Sequence, residues 1–154
     1  MFIVLVGFIG GARNVVTNRS QASEVADQIA AGGEQGDVVG YCPDQLGPAV
    51  SRLLPSRLAL GQYTFPKFER PQFVDWVDYE DRNAAANPDA YAQGLLDRAG
   101  DRTIWYVWST GYRTFDDKCE RILNYLSVAR GQNETLVRPN DDLYEFMGLT
   151  RFDP

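Results

Sequence analysis

Two predicted loops carry most of the polar side chains that could bind or transform a small molecule. Each loop, 42–47 or 109–113, directly follows a short apolar run that is typical of a buried strand. Together they offer the side chains of Asp44, Gln45, Ser109, Tyr112 and Arg113. This set suits a sugar or another polyol, or a phosphate held by Arg113 and a helix N-terminus. The competing interpretation is structural: Asp44 caps the next helix, and Arg113 pairs with a neighbouring carboxylate.

An acidic and aromatic segment, DWVDYED at 75–81, is a second place for chemistry. Two of its carboxylates could act as acid and base, and aromatic rings beside carboxylates are common on sugar-binding surfaces. The spacing gives no reason for any two of them to converge. A solvated acidic face is therefore the favoured interpretation.

The residue types that are missing exclude several classes of site. The chain has no histidine and only two cysteines. Ser-His-Asp and Cys-His catalysis, the commonest zinc ligand and a four-thiolate metal site are therefore excluded. Neither of the standard glycine-rich phosphate-binding motifs occurs. The sequence predicts no complete active site, no catalytic residue, no metal site and no cofactor, and leaves open only carboxylate chemistry on a sugar or phosphate.

The two cysteines fall near the same predicted loops. Cys42 ends one strand, and Cys119 lies in the first turn of the helix after the TIWYVW strand. If the two strands are neighbours, the thiols can bond and would enclose about 77 residues, which stabilises by roughly 4 kcal/mol in the chain-entropy model. A disulfide would indicate an oxidising, extracytoplasmic location. The alternative is a pair of free, buried thiols that act as small apolar groups.

Composition restricts the partners. A length of 154 residues fits one domain, and 15 basic against 21 acidic residues give a net charge of -6. No cluster of Lys and Arg reverses this charge locally. Nucleic acid and purely electrostatic attachment to an anionic membrane are therefore poor candidates.

Periodicity and end signals predict alternating strands and helices. Strands are predicted at 38–42, 58–65, 103–108, 134–138 and 143–152. Helices are predicted from a cap at Asn18 or Ser20 to residue 32, from Pro48 through Leu54, from 88 to 99 after Asn87, and from a cap at Asp116 or Asp117 to residue 130. The segment 67–82 is predicted to be an ordered loop with about one helical turn.

This order predicts the fold and the place of the loops. Strands that alternate with helices favour right-handed crossovers and a three-layer α/β/α, Rossmann-like fold with a mostly parallel sheet of about four to five strands. Ligands bind such sheets outside the carboxyl ends of the strands, where loops 42–47 and 109–113 would lie. No linker or repeat divides the chain, so residues 13–154 are predicted to form one α/β domain.

The N-terminal run 1–12 has three interpretations. Its apolar part, FIVLVGFI at 2–9, is too short to span a membrane alone, because a spanning helix needs about 20 apolar residues. It is a buried strand, a weak anchor, or the end of a transmembrane helix whose upstream part precedes it. Periodicity does not separate the strand from the helix.

Three blocks of the chain resemble a known class of proteins. They are GDVVGYCPDQLGPAVSRLLP at 36–55, FPKFERPQFVDWVDYEDRNAAA at 65–86 and WYVWSTGYRTFDDKCERI at 105–122. They resemble the C-terminal part of actinobacterial polytopic membrane proteins of the GT-C glycosyltransferase class, which are related to mannosyl- and arabinosyltransferases. The resemblance runs from about residue 13 to residue 152.

The resemblance implies a location, a partner and a role. In that class a membrane part carries the transfer chemistry with a polyprenyl-phosphate sugar donor, and no residue of this chain matches its catalytic carboxylates. Residues 1–12 would end the last membrane helix, with Arg13 as a flanking anchor, and the domain would lie on the extracytoplasmic side of the cell membrane. We therefore expect an accessory domain, non-catalytic alone, that contacts an acceptor glycan or a partner, whether the chain is a piece of such a protein or a stand-alone relative. Its expected partner is the upstream membrane domain of the same protein or another membrane protein. The alternatives are a stand-alone protein-interaction module and a small carboxylate-dependent enzyme acting on a sugar or phosphate.

Overall fold

The computed structural model describes residues 19–154, so the prediction for residues 1–12 lies outside the described residues. The strands are β1 (Val38–Cys42), β2 (Gly61–Thr64), β3 (Ile104–Trp108), β4 (Asn133–Val137) and β5 (Gly148–Phe152). The helices are α1 (Ala22–Gly32), α2 (Gly47–Ser51), α3 (Tyr79–Ala85), α4 (Pro88–Ala99) and α5 (Lys118–Arg130). Short 3-10 turns cover Asp44–Leu46, Ser56–Leu58 and Arg113–Phe115.

The strands form one open sheet of mixed direction, in the order β2-β1-β3-β5-β4. β1 pairs in parallel with β2 and with β3, whereas β5 pairs antiparallel with both β3 and β4. The α/β class and five strands are as predicted, but the sheet is parallel only at one end. The difference arises because β4 and β5 follow each other without a crossover helix, so β5 returns beside β4 in the opposite direction.

The helices contribute to two apolar clusters that use alternate residues of the same strands. Ile104 and Tyr106 of β3 pack with residues of α4 and α5, whereas Trp105 and Val107 pack with residues of α1 and α2. Successive side chains of a strand point to opposite faces, so the two clusters lie on opposite sides of the sheet. This explains why the run IWYVW is apolar throughout rather than alternating.

Helix α4 packs against β1 where Gly40 leaves room for its side chains. A Cβ on Gly40 would lie 2.6 Å from a methyl carbon of Leu95 and 3.1 Å from the hydroxyl oxygen of Tyr91. The Tyr91 hydroxyl accepts a hydrogen bond from the Tyr41 backbone N–H (3.1 Å) and donates one to the Tyr63 carbonyl (2.8 Å). A side chain of α4 thus joins the backbones of β1 and β2.

The ends of three predicted elements, α2, β2 and β5, differ from the sequence-based expectation, and β5 begins at Gly148 instead of residue 143. The Asn87 side chain caps α4 as predicted, accepting hydrogen bonds from the backbone N–H groups of Asp89 and Ala90. α2, by contrast, ends at Ser51, and Leu53 is exposed rather than part of an apolar stripe. β2 is also shorter than the predicted strand 58–65, because a 3-10 turn ends at Leu58 and Ala59 has a left-handed backbone conformation (φ 45°).

Cys42 and Cys119 form a disulfide with their Cα atoms 5.5 Å apart. The bond joins the last residue of β1 to the first turn of α5, and both cysteines are buried. β1 and β3 are neighbours in the sheet, which is the condition on which the sequence allowed this disulfide. Within residues 19–154, no helix is both long and apolar enough to cross a bilayer.

Candidate functional site

The two loops predicted to bind a ligand do meet at one edge of the sheet. Cys42 of β1 pairs with Trp108 of β3, and the Ser109 backbone N–H donates a hydrogen bond to the Cys42 carbonyl at 3.0 Å. Loops 42–47 and 109–113 therefore leave the sheet side by side, at the carboxyl ends of parallel strands. This is the location that open α/β sheets use for ligands.

A pocket lined by aromatic rings opens beside the second loop. Its walls are Thr110, Gly111, Tyr112, Tyr144 and Phe146, and its volume is about 240 Å³. Tyr144 is 80% exposed, and the Arg19 guanidinium lies 5.5 Å from the centre of its ring. Burial raises the pKa of Tyr112. Its phenol is protonated at neutral pH, as in any tyrosine, and can donate a hydrogen bond. Ring faces with a nearby donor can stack on a sugar ring and bind its hydroxyls.

Arg113 lies next to this pocket in the chain. It is exposed at the start of its 3-10 turn, and among residues 19–154 it forms no ion pair. The competing interpretation, in which a neighbouring carboxylate neutralises Arg113, is therefore not seen in this part of the chain. Its guanidinium can donate to a ligand oxygen.

Ser109 and Gln45 are less accessible than the sequence suggested. Ser109 is only 2% exposed, and its hydroxyl donates to the Thr110 carbonyl at 3.3 Å. Gln45 is half-buried, and its Oε1 atom is buried without a hydrogen-bond partner among the described residues. Ser109 thus shapes the loop, while Gln45 keeps an acceptor near the sheet edge.

Asp44 is bound by a residue that the sequence analysis did not connect with it. The Tyr79 hydroxyl donates a hydrogen bond to Asp44 Oδ1 at 2.6 Å, so segment 75–81 folds over the first loop. Burial raises the pKa of Asp44 above the usual value of a carboxyl group, although the bond from Tyr79 acts in the opposite direction. The N-cap position of the helix that follows, α2, is occupied by Leu46, so Asp44 is not its cap.

The raised pKa of Asp44 predicts a pH dependence of stability. A carboxyl group whose pKa is higher in the folded state binds more protons there than in the unfolded chain. The stability that the protonated Asp44 carboxyl group contributes is therefore fully present below the unfolded-state pKa. It is lost as pH rises through the folded-state pKa. We expect the free energy of unfolding of Asp44→Asn, relative to that of the wild type, to increase as pH rises through this range. The amide keeps an acceptor for the Tyr79 hydroxyl and cannot ionise.

Urea unfolding of both proteins across the acid and neutral range measures this effect. Glu80→Gln is the matched control, because it removes one carboxylate of the same acidic segment at an exposed position. A difference between Asp44→Asn and wild type that does not change with pH would contradict the assignment.

The carboxylates of segment 75–81 do not converge on an acid/base pair. Asp75 accepts from Lys67 Nζ at 2.7 Å and from Arg82 at 3.3 Å, and the bond from Lys67 lowers the pKa of Asp75. Asp78, Glu80 and Asp81 are exposed. The solvated acidic face predicted from the sequence is therefore confirmed for these three residues. Within residues 19–154, no group of three or more metal-ligating side chains is placed to hold an ion.

Sequence reasoning missed the residues that complete this edge, namely Tyr79, Tyr144 and Phe146. Tyr79 was only one member of an acidic segment, and the other two follow the turn at 139–142 without any periodic pattern. The chain matches no protein-family model, no curated protein and no solved structure.

Proposed function

We propose that the chain is an accessory extracytoplasmic domain of a cell-envelope membrane glycosyltransferase, non-catalytic alone, which contacts an acceptor glycan. The observation that carries the glycan contact is the pocket between Tyr112, Tyr144 and Phe146, with the cationic Arg113 next to it in the chain. Aromatic walls with a few polar groups are typical of sites that bind small, partly apolar ligands. Sugars are such ligands, with an apolar ring face and a polar rim.

Two further features support the proposal. The buried Cys42–Cys119 disulfide is compatible with an oxidising, extracytoplasmic compartment. The helices of the two apolar clusters lie on opposite faces of the sheet, which supports describing the domain as a three-layer, Rossmann-like support for the edge. The glycosyltransferase link itself rests on the sequence resemblance.

A second candidate is a protein-interaction module, and a separate patch favours it. Phe73, Trp76 and Val77 are 81%, 63% and 67% exposed and lie within five residues of one another. Apolar side chains exposed together often mark a protein contact. In the first proposal the same patch would face the membrane part of the enzyme or another membrane protein.

A small carboxylate-dependent enzyme is less well supported. Asp44 is occupied by the Tyr79 hydroxyl, and Asp75 is occupied by Lys67 and Arg82. A general acid and base need two carboxyl groups that face one substrate. The described contacts bring no such pair together.

Titration of the isotope-labelled protein with mannose and arabinose oligosaccharides tests the glycan proposal. We expect the amide signals of Gly111 and Tyr112 to shift, and we expect Tyr112→Ala to weaken binding by about tenfold, because a stacked ring contributes roughly 1 kcal/mol beyond its buried area. Arg113→Ala should also weaken binding, since it removes a charge-assisted donor.

Tyr125→Ala is the control, because Tyr125 is an aromatic residue on helix α5 and does not line the pocket. Shifts confined to residues 73–77 on addition of membrane extract, with none from any glycan, would favour the interaction module instead. Oligosaccharide binding that is unchanged in both Tyr112→Ala and Arg113→Ala would refute the proposed pocket.

A further inference from the structure

Within residues 19–154, a polar cleft lies along the outer edge of β2. It has a volume of about 360 Å³ and lies between Gly61–Tyr63 and the returning segment Arg70–Gln72, with Ser51 at one end. β2 is the outermost strand at this end of the sheet. The cleft is separate from the aromatic pocket and has no role in the proposed function.

The backbone of Gln62 faces this cleft. The N–H groups of Gly61 and Phe65 donate toward β1, to the carbonyls of Asp37 (2.9 Å) and Tyr41 (2.8 Å). Thr64, between them, donates in the opposite direction, to the Glu69 carbonyl at 2.9 Å. Because backbone groups alternate along a strand, the N–H and C=O of Gln62 point outward like those of Thr64.

The returning segment closes the edge at Thr64 and leaves it open at Gln62. The pair Thr64–Glu69 is a single antiparallel bridge, after which the two chain segments separate. Pro71 holds the far wall in place, because a Cβ on Gly47 would lie only 2.5 Å from Pro71 Cβ. Within residues 19–154, the gap therefore has one open pair of backbone groups, those of Gln62, between two walls.

The side chains of the cleft favour a negatively charged ligand. Among the described residues, its lining contains Arg70 and no carboxylate, although the whole chain has a net charge of -6. Arg70 is exposed and forms no ion pair within residues 19–154. Gln62 Oε1 accepts from the Tyr41 hydroxyl at 2.6 Å, which leaves the Gln62 amide N–H₂ as a donor. A ligand with an anionic group next to a backbone amide would pair with the Arg70 charge and with the outward N–H and C=O of Gln62.

We propose that this cleft binds the C-terminal end of an extended peptide. The peptide adds one residue to the edge of β2 through the N–H and C=O of Gln62, and its terminal carboxylate binds Arg70. Edge-strand addition supplies affinity through backbone hydrogen bonds, and capture of the carboxylate supplies specificity.

The probe is N-acetyl-dialanine with a free carboxylate, titrated into the labelled protein while amide shifts are recorded. We expect the Gln62 and Gln72 amides to shift, and we expect Arg70→Gln to weaken binding at least about tenfold, since a hydrogen bond to a charged group is lost. The same probe with a C-terminal amide should bind the wild type weakly. Its affinity should match that of the free acid for the Arg70→Gln variant. A probe N-methylated at the amide between its two alanines should also lose affinity, because that nitrogen no longer donates to the Gln62 carbonyl.

Arg138→Gln is the matched control, because it removes the same charge at an exposed position after β4, at the other edge of the sheet, and should leave this binding unchanged. The spectra themselves show whether each variant is folded. Equal shifts from the acid and the amide, shifts from acetate as large as those from the peptide, or no shift near Gln62 would each overturn the proposal. These outcomes are independent of glycan binding at Tyr112.

Discussion

Replacing Cys42 and Cys119 together by alanine should lower the free energy of unfolding by about 4 kcal/mol, because the disulfide constrains a long loop of the unfolded chain. The bond spans 77 residues, which include β2, α3, α4 and β3. Such a loss is a large fraction of the total stability of most domains of this size. Urea unfolding at neutral pH, followed by circular dichroism, measures it.

The wild type unfolded in the presence of a strong reductant is the internal comparison. It should approach the stability of the alanine variant, because both lack the same constraint. If the alanine variant and the oxidised wild type unfold at the same urea concentration, the disulfide does not stabilise the domain. A single Cys119→Ala variant should be destabilised similarly and should expose Cys42 to thiol reagents only on unfolding, since Cys42 is buried.

Tyr91→Phe should lower the free energy of unfolding by about 1–2 kcal/mol, although it removes only one oxygen atom, because the hydrogen bonds of a buried hydroxyl to β1 and β2 are lost. The hydroxyl of Tyr91 accepts from Tyr41 N–H and donates to Tyr63 C=O, at a point where β1 and β2 are also paired in the parallel ladder. Phenylalanine keeps the ring that packs against Phe65 and Phe68. The loss therefore reports on the hydroxyl and not on apolar packing.

Tyr125→Phe is the matched control. Its hydroxyl donates to Gln93 Oε1 on the exposed surface between α4 and α5, where water can replace the bond. We expect a change of less than about 0.5 kcal/mol for this variant. Equal effects of the two substitutions would show that the Tyr91 hydroxyl does not hold β1 and β2 together.

The elements that the sequence predicted well are those with strong local signals. β1 and β3 are short apolar runs rich in β-branched and aromatic residues, and α4 begins at Asn87-Pro88 and is followed by Gly100. The neighbourhood of Cys42 and Cys119 followed from these elements once the two strands were assumed to be adjacent. Local patterns were sufficient there because each boundary is set by a residue with a strong conformational preference.

The features that the sequence did not predict depend on contacts between distant segments. The bond from Tyr79 to Asp44 joins residues 35 positions apart, and nothing in the acidic segment distinguishes Tyr79 from its neighbours. The aromatic pocket likewise needs Tyr144 and Phe146 to reach Tyr112, which follows from the antiparallel insertion of β5. The direction of β5 is a tertiary property, because the same apolar pattern fits either orientation.

The position of β5 within the sheet has a consequence for synthesis on the ribosome. β5 lies between β3 and β4, although it is the last of the five strands along the chain. β1, β2 and β3 can pair as they emerge, but one edge of β3 stays open, and β4 has no neighbour, until residues 148–152 have left the exit tunnel. An open, strongly apolar edge is prone to pair with other chains. Translation must therefore outpace that side reaction, and a nascent chain that stalls before Gly148 is a natural client for a chaperone.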